Sequence, residues 1–217
     1  MKRTLTLLAL LLLTGPLRAQ NIELPAPHKT GGMPLMEALA RRATARAFDT
    51  KELTPQQLAD LLWAAFGINR ADGKRTAPSA RNFQETDLYV LLKQGAYVYD
   101  AVSNQLKLVA AEDLRSLGGT QAFVKDAPVT LVFVANLAKV TGSAEDKKNT
   151  VFIDAGYISQ NVYLYCASEG LVTGARSSVD RAALGSRLKL TASQLIVLAQ
   201  SVGHPKPQLQ ATEAAKQ

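Results

Sequence analysis

Two short segments of the chain carry side chains suited to ligand binding. The first, RRATARAF at residues 41–48, places three arginines within six residues around Thr44. The planar guanidinium group donates in a fixed fork that suits bidentate phosphate binding, and a threonine hydroxyl adds a further donor. The alternative interpretation is a solvated basic helix end, which the helix dipole favours. The octet alone is compatible with both interpretations.

The second segment is APSARNFQ at residues 77–84. Proline and the small side chains of Pro78, Ser79 and Ala80 allow a backbone to approach a ligand closely. Two carboxamides, one of them on Asn82, can both donate and accept hydrogen bonds. An ordinary turn before a strand explains this segment equally well.

Other catalytic chemistries have little material in this chain. His28 and His204 are the only histidines, and Cys166 is the only cysteine. The sequence therefore favours neither a metal site nor a Ser–His–Asp triad. An internal disulfide is excluded, and the apolar surroundings of Cys166 predict a small buried hydrophobe rather than a nucleophile.

The longest apolar stretch, residues 151–174, predicts a central helix. Between Val151 and Ser168 the only charged side chain is Asp154, and apolar residues fall on every side of a helical wheel. Such a helix is buried on all sides, so a second layer or a second subunit must pack around it. The helix is too short and too interrupted by polar residues for a comfortable membrane span. A core helix of a monomer is the alternative.

The remaining pattern predicts an α+β domain. Helices alternate with strands, but no Gly-rich phosphate loop of a dinucleotide-binding fold is present. Thr54 is predicted to cap a helix that ends at Gly67, and residues 141–149 are predicted to be a polar loop. The other predicted helices are residues 33–42, 111–117 and 179–188. The predicted strands are residues 88–92, 97–99, 106–109, 129–135 and 194–202.

The N-terminus predicts export. Lys2 and Arg3 precede an apolar run and small residues, which is typical of a signal peptide over residues 1–19 that is cleaved after Ala19. An uncleaved anchor is the alternative. Cleavage removes three basic residues and no acidic one, so the net charge falls from +7 to about +4, too mild and too scattered for nucleic-acid binding. We expect an exported, periplasmic protein without a stable membrane anchor.

The mature chain is long enough for one domain with a substantial core. Residues 20–32 are rich in proline and glycine and predict an extended arm suited to lie on a partner. The domain itself is expected over residues 33–207. Residues 208–217 are polar and are expected to form a flexible tail.

Taken in order, four segments resemble the FMN-dependent nitroreductase family over residues 35–206. They are RRATARAF, APSARNFQ, DAGYISQN followed by EGL, and the closing VGHPK. The likeness is closest to exported SagB/ThcOx-type dehydrogenases. It implies a nitroreductase-like α+β fold with a central, mainly antiparallel sheet flanked by helices and a long buried central helix. It also implies a domain-exchanged homodimer with two FMN molecules at the subunit interface.

The resemblance also implies a set of cofactor-binding residues. At the phosphate and ribityl end these are Arg42, Ala43, Thr44, Arg46 and Lys206, with Ala43 standing where relatives often carry a basic residue. At the isoalloxazine these are Pro78, Ser79, Ala80 and Asn82, together with backbone amides of Thr173, Gly174 and Ala175 that reach N5 and O4. Arg81 replaces a smaller residue of the family and is expected to fill part of the substrate face.

The function implied is hydride or two-electron transfer between bound FMN and a small conjugated substrate such as a nitroaromatic or a quinone. No side chain is assigned a catalytic role, because the flavin N5 carries the chemistry. The alternatives are a SagB-like oxidation of an azoline or other C–N ring, and a flavin-binding or flavin-handling protein without turnover.

Overall fold

A seven-stranded antiparallel sheet forms the centre of the computed structural model, which describes residues 20–207. The predicted signal peptide, residues 1–19, and the predicted tail, residues 208–217, lie outside the described residues. In sheet order the strands are β1 (Ile22–Glu23), β4 (Gln105–Ala110), β3 (Gly95–Asp100), β2 (Thr86–Leu92), β5 (Val129–Asn136), β7 (Gln194–Gly203) and β6 (Val172–Arg176). The predicted α+β class with a mainly antiparallel sheet is confirmed.

Strand β5 lies in the middle of this sheet because its uninterrupted apolar run suits burial on both faces. Leu131 and Phe133 pack into the core on one face of the sheet. Val132 and Val134 pack into a second core on the opposite face. The strand predicted at residues 129–135 is confirmed, and it divides the interior into two apolar layers.

Within residues 20–207, four α-helices accompany the sheet. They are α1 (Leu35–Arg41), α2 (Pro55–Phe66), α3 (Ala144–Ser168) and α4 (Arg181–Arg187). Helix α2 begins as predicted: the Thr54 hydroxyl accepts from the Gln57 amide, the Gln57 side chain accepts in return, and the helix ends at Gly67. The helix predicted at residues 111–117 is wrong, because only a short 3₁₀ turn forms there, at Arg115–Gly118.

Helix α3 begins earlier than predicted. Ser143 accepts from the Asp146 amide and Asp146 accepts from the Ser143 amide, and this capping box starts the helix at Ala144, seven residues before Val151. The polar loop predicted at residues 141–149 is therefore wrong. The first two turns of the helix are polar because they extend beyond the sheet-facing part of the helix.

The sheet covers only one side of α3. Val151, Ile158 and Val162 are completely buried, whereas three large side chains on the opposite side are well exposed. These are Phe152, Ile153 and Tyr157, which are 43%, 57% and 49% exposed. The second layer predicted around this helix is thus present on one side, and the other side remains a large apolar surface. Among the described residues, no helix is long and apolar enough to cross a membrane.

The arm of residues 20–32 lies on its own chain. Strand β1 pairs with β4 at one edge of the sheet. Further along, the His28 backbone N–H and ring Nδ1 both contact the Asp60 carboxylate on α2, at 2.7 and 3.0 Å. The arm is therefore attached at two points to the domain that follows it.

Candidate functional site

Residues 42–48 leave helix α1 and run beside strand β6. Thr44 forms a parallel bridge with Thr173, and the Ala45 N–H donates to the Thr173 carbonyl at 2.8 Å. The two backbones are so close that a Cβ on Gly174 would lie 2.5 Å from the Ala45 carbonyl oxygen. Glycine at this position therefore allows the arginine segment to lie against the sheet.

The end of strand β7 reaches the same segment. Phe48 forms an antiparallel bridge with Pro205, so Lys206 lies opposite Ala47 and beside Arg46. Both Arg46 and Lys206 are exposed. Two cations that are far apart in sequence are thereby placed at one sheet edge, as the family resemblance implied for the phosphate end.

Three cations of this region have no acidic partner. Arg41 pairs with Glu37 one turn away, but no carboxylate of residues 20–207 lies within 4 Å of Arg42, Arg46 or Lys206. Helix α1 ends at Arg41, so the helix dipole does not account for Arg46 or Lys206. This arrangement fits an anionic ligand better than it fits a solvated helix end.

Tyr163 of α3 fastens the arginine segment to the sheet. Its hydroxyl forms a hydrogen bond with Thr44 Oγ1 at 3.0 Å and accepts the Ala175 N–H at 3.0 Å. The Arg42 guanidinium lies over its ring, 5.5 Å from the centroid. The sequence alone does not single out Tyr163, because a tyrosine in an apolar helix resembles a core side chain. The available signal was its hydroxyl, which usually finds a hydrogen-bond partner when it is partly buried.

The structure changes the interpretation of one backbone amide in strand β6. The resemblance assigned its backbone amides to the flavin, but the Ala175 N–H is already donated to Tyr163, which corrects the prediction for that residue. The Thr173 hydroxyl is fully buried and donates to the Ser201 carbonyl at 2.8 Å. In the folded chain, this strand holds residues 42–48, and the flavin contacts of Thr173 and Gly174 stay predictions.

The second predicted segment, residues 77–84, forms a tight loop. The Gln84 N–H donates to Ser79 Oγ, and its side-chain amide donates to Asn82 Oδ1, both at 3.0 Å. The Ala80 N–H donates to the Asp154 carboxylate on α3 at 2.9 Å. Pro78 and Asn82 remain exposed at the rim of the loop, so they are accessible to a ligand.

This loop contains unusual backbone geometry. Arg81, Asn82 and Gln84 have φ angles of 49°, 57° and 44°. Residues other than glycine rarely adopt this left-handed conformation, and such residues cluster at ligand-binding and active sites. Asn82 tolerates it better than the other two, and the hydrogen bonds within the loop maintain it.

The two segments do not meet within one chain. The loop touches α3 at Asp154 and the arginine segment touches it at Tyr163, nine residues later. Nine residues turn a helix through about 180° and advance it by about 13 Å. A cavity of about 610 Å³ between the arm, α1, α2 and α3 contains none of the predicted cofactor residues. The predicted site is therefore an open surface in two parts, on opposite sides of α3.

The remaining reactive groups lie apart from the exposed loop. Cys166 is buried, and burial raises the pKa of its thiol, as expected for an inert core residue. His28 contacts Asp60 on α2. His204 lies two residues before Lys206, and its buried Nε2 has no hydrogen-bond partner among the described residues. The predicted place of this histidine near the phosphate end of a flavin stays a prediction.

One solved structure with the same fold belongs to a protein whose name states an enzymatic activity. A provisionally named NAD(P)H:FMN oxidoreductase from Staphylococcus epidermidis matches with a TM-score of 0.60. The match covers 84% of this chain and 92% of that one, at 14% sequence identity. At this identity the likeness concerns the fold alone.

Two other relatives are more similar in sequence. A crystal structure of a provisionally named nitroreductase from Ralstonia eutropha JMP134 is 41% identical, covers 87% of this chain and 91% of its own, and has a TM-score of 0.83. A protein from Methanocaldococcus jannaschii, also provisionally named a nitroreductase, is 29% identical over 64% of this chain and 76% of its own length. The model of the nitroreductase family matches residues 39–204. The chain is therefore a member of the nitroreductase family of oxidoreductases.

Proposed function

We propose that this protein is an exported FMN-dependent oxidoreductase that works as a homodimer. The observation that carries the proposal is the group of three cations, Arg42, Arg46 and Lys206, beside which residues 20–207 place no acidic partner. In a nitroreductase-family chain, the anionic ligand that suits such a group is the phosphate of FMN. The name of the Staphylococcus epidermidis neighbour, an NAD(P)H:FMN oxidoreductase, supports the same cofactor.

Each part of the chain has a defined task in this proposal. Arg42 and Arg46 bind the phosphate and ribityl chain, and Lys206 adds positive charge. Tyr163 keeps Thr44 and Arg42 in place through its hydroxyl and its ring. When bound, FMN supplies the two-electron chemistry by accepting and returning a hydride.

A second copy of the chain completes the site. The loop of residues 77–84 and the arginine segment lie on opposite sides of α3, so one chain alone does not enclose a flavin. The exposed apolar surface of Phe152, Ile153 and Tyr157 lies on the same helix. Burying it in a twofold interface brings the loop of one subunit towards the arginines of the other. Two equivalent sites per dimer follow from the symmetry.

The substrates proposed are nitroaromatics, quinones or similar conjugated molecules. An interface site built from Pro78, Ala80 and Asn82 on one side offers an open surface on which a flat molecule can lie. The loop brings no histidine or lysine to this surface, and its one carboxylate contact, Asp154, is buried. We therefore expect orientation, rather than proton transfer by a side chain, to be the contribution of the protein to the rate.

Export favours one alternative reaction. NAD(P)H is not expected outside the cytoplasm, so the predicted signal peptide favours a substrate that reduces the flavin directly. Oxidation of an azoline or related C–N ring, as proposed for SagB/ThcOx-type enzymes, meets this condition. A flavin-handling protein without turnover also meets it.

The test begins with the colour of the purified protein and with three reductions. A yellow protein that NAD(P)H bleaches, and that a nitroaromatic or quinone reoxidises, supports the proposed reductase. A yellow protein that only an azoline peptide bleaches supports the alternative reaction, and one that only dithionite bleaches supports flavin handling. A colourless protein that takes up no FMN refutes all three.

Export has its own test. The periplasmic fraction of expressing cells should contain a mature protein whose N-terminal sequence starts at Gln20 and whose mass is that of the chain cleaved after Ala19. Recovery of the full-length chain in the cytoplasm contradicts the predicted export, and recovery of the uncleaved chain in the membrane supports the anchor.

A further inference from the structure

Two buried carboxyl groups lie under the loop of residues 79–84. Glu85 follows the loop directly and is fully buried, and Asp154 of α3 is 3% exposed. Asp154 accepts the Ala80 N–H at 2.9 Å. Isolated buried carboxylates are costly, and no lysine or arginine forms an ion pair with either group among the described residues.

The hydrogen bonds of this pair show how it avoids two buried charges. Glu85 Oε1 accepts from Thr86, but Glu85 Oε2 is buried without a partner if both groups are ionised. The Glu85 side chain lies within hydrogen-bond reach of Asp154. A proton on Glu85 therefore removes this defect, because the acid then donates to Asp154. Two carboxyl groups in one buried site commonly share a single proton for this reason.

The electrostatics agree with that arrangement. Burial raises the pKa of Glu85, and the charge of Asp154 raises it further. Burial also raises the pKa of Asp154, while hydrogen bonds from the Ala80 N–H and from Glu85 lower it. The remaining charged group facing Glu85 is Lys139, which follows β5 and binds the Gln84 carbonyl at 3.1 Å. Lys139 favours ionisation only weakly, since burial is the largest effect on Glu85.

We propose that Glu85 and Asp154 form a one-proton carboxyl pair that positions the loop of residues 79–84, and that losing this proton releases the loop. Asp154 anchors the loop at Ala80, and protonated Glu85 keeps Asp154 aimed at that amide. Ionisation of Glu85 places two negative charges in one buried site and pushes Asp154 away. The pair is inferred from the fold alone. Only the further expectation, that a released loop loses its contacts with FMN, rests on the proposed function.

The direction of the pH dependence follows from the raised pKa of Glu85. Between its ordinary pKa of 4.5 and its raised value in the folded protein, the folded state binds more protons than the unfolded state. The stabilisation by this group is therefore complete below 4.5 and is lost as the pH rises through the folded-state pKa. Glu85→Gln cannot ionise, so this loss should be absent from that variant.

Hydrogen exchange measured by mass spectrometry on the peptide containing residues 79–84 tests the pair without added flavin. After correction for intrinsic exchange, protection in the wild type should fall by about tenfold per pH unit above the pKa of the pair. Glu85→Gln should keep its protection, since its amide still donates to Asp154. Asp87→Asn is the matched control, because it removes a carboxyl two residues after Glu85, in β2, that makes no hydrogen bond to the loop, and it should follow the wild type.

Each outcome decides the proposal. A wild-type loop whose protection does not change between about pH 5 and pH 9, or a Glu85→Gln loop that follows the wild-type curve, overturns it. Asp154→Ala should lower protection at every pH. If that variant does not fold, the comparison of the wild type with Glu85→Gln still decides. Flavin uptake measured separately on the same proteins tests the proposed function, so failure of one is not failure of the other.

Discussion

The difference between two neighbouring arginines offers a sharp test of the cofactor site. In the part of the chain that the structure describes, Arg42 has no acidic partner within 4 Å, and its guanidinium lies over the ring of Tyr163. Removing a hydrogen bond to a charged group costs about 1.5–3 kcal/mol. Arg42→Ala should therefore raise the dissociation constant for FMN about 10- to 150-fold.

Arg41→Ala is the matched control. Arg41 is the next residue in the chain, is exposed, and already pairs with Glu37 at helical spacing. Because Glu37 already offsets the charge of Arg41, its loss should change FMN affinity by about twofold or less. The assay is a titration of the protein without flavin, followed by the quenching of FMN fluorescence. Equal losses of affinity in the two variants would mean that Arg42 acts only as general positive charge.

Riboflavin separates the phosphate contact from a change in the fold. It shares the isoalloxazine and ribityl groups of FMN but lacks the phosphate. Arg42→Ala should therefore weaken riboflavin binding much less than FMN binding. If both ligands lose affinity equally, the variant has disturbed the segment held by Tyr163 and Thr173, and the assignment of Arg42 to the phosphate is refuted.

Three further predictions follow. Ile153→Asp on the exposed side of α3 should convert a dimer into a monomer in sedimentation velocity. Val102→Asp, the control at another exposed apolar residue in a turn, should leave the dimer intact. If both variants remain dimers, the exposed side of α3 is not the dimer interface. Tyr163→Phe leaves a backbone amide without its acceptor and should lower the free energy of unfolding in urea by about 1–3 kcal/mol; an unchanged value contradicts its fastening role. Asn82→Ala should slow the stopped-flow bleaching of bound FMN, while His204→Ala should only weaken FMN binding. The reverse result would make His204 a general acid–base.

Local signals predicted those parts of the fold where one physical effect dominates. The helix from Pro55 to Phe66 was predicted from its capping residues, because the hydrogen bonds of a cap involve residues only three apart. Strand β5 was predicted from its continuous apolar run, which only a strand buried on both faces requires. In both cases the deciding interactions are encoded within about ten residues.

One error missed a local signal, and the other arose where tertiary contacts override the local pattern. Residues 144–150 are polar, yet they form the first turns of α3 because a capping box starts the helix there. Strand β6 was missed because its residues, VTGAR, carry no strand signal of their own. This strand forms because β7 pairs with it on one side and residues 44–45 approach it on the other.

The candidate site shows the same division. The arginine octet and the loop of residues 77–84 were singled out by residue type, and only the family resemblance assigned them a ligand. The side chains that position them were not recognised. Tyr163 and Asp154 act through hydrogen bonds to residues 119 and 74 positions away. Asp154 did stand out as the single charge in an apolar helix, but a sequence shows no partner for such a charge.

The position of α3 explains why flavin binding and dimerisation are coupled in the homodimer that we propose. This helix carries Asp154, Tyr163 and the exposed apolar surface that includes Tyr157. Each subunit therefore offers its loop and its arginine segment on either side of the surface that its partner covers. In the proposed dimer, FMN bound across the interface would contact both subunits, so dimerisation would tighten FMN binding. By thermodynamic linkage, FMN would then stabilise the dimer by the same factor. Under this proposal one helix links the assembly of the protein to its cofactor, although no side chain on it transfers an electron.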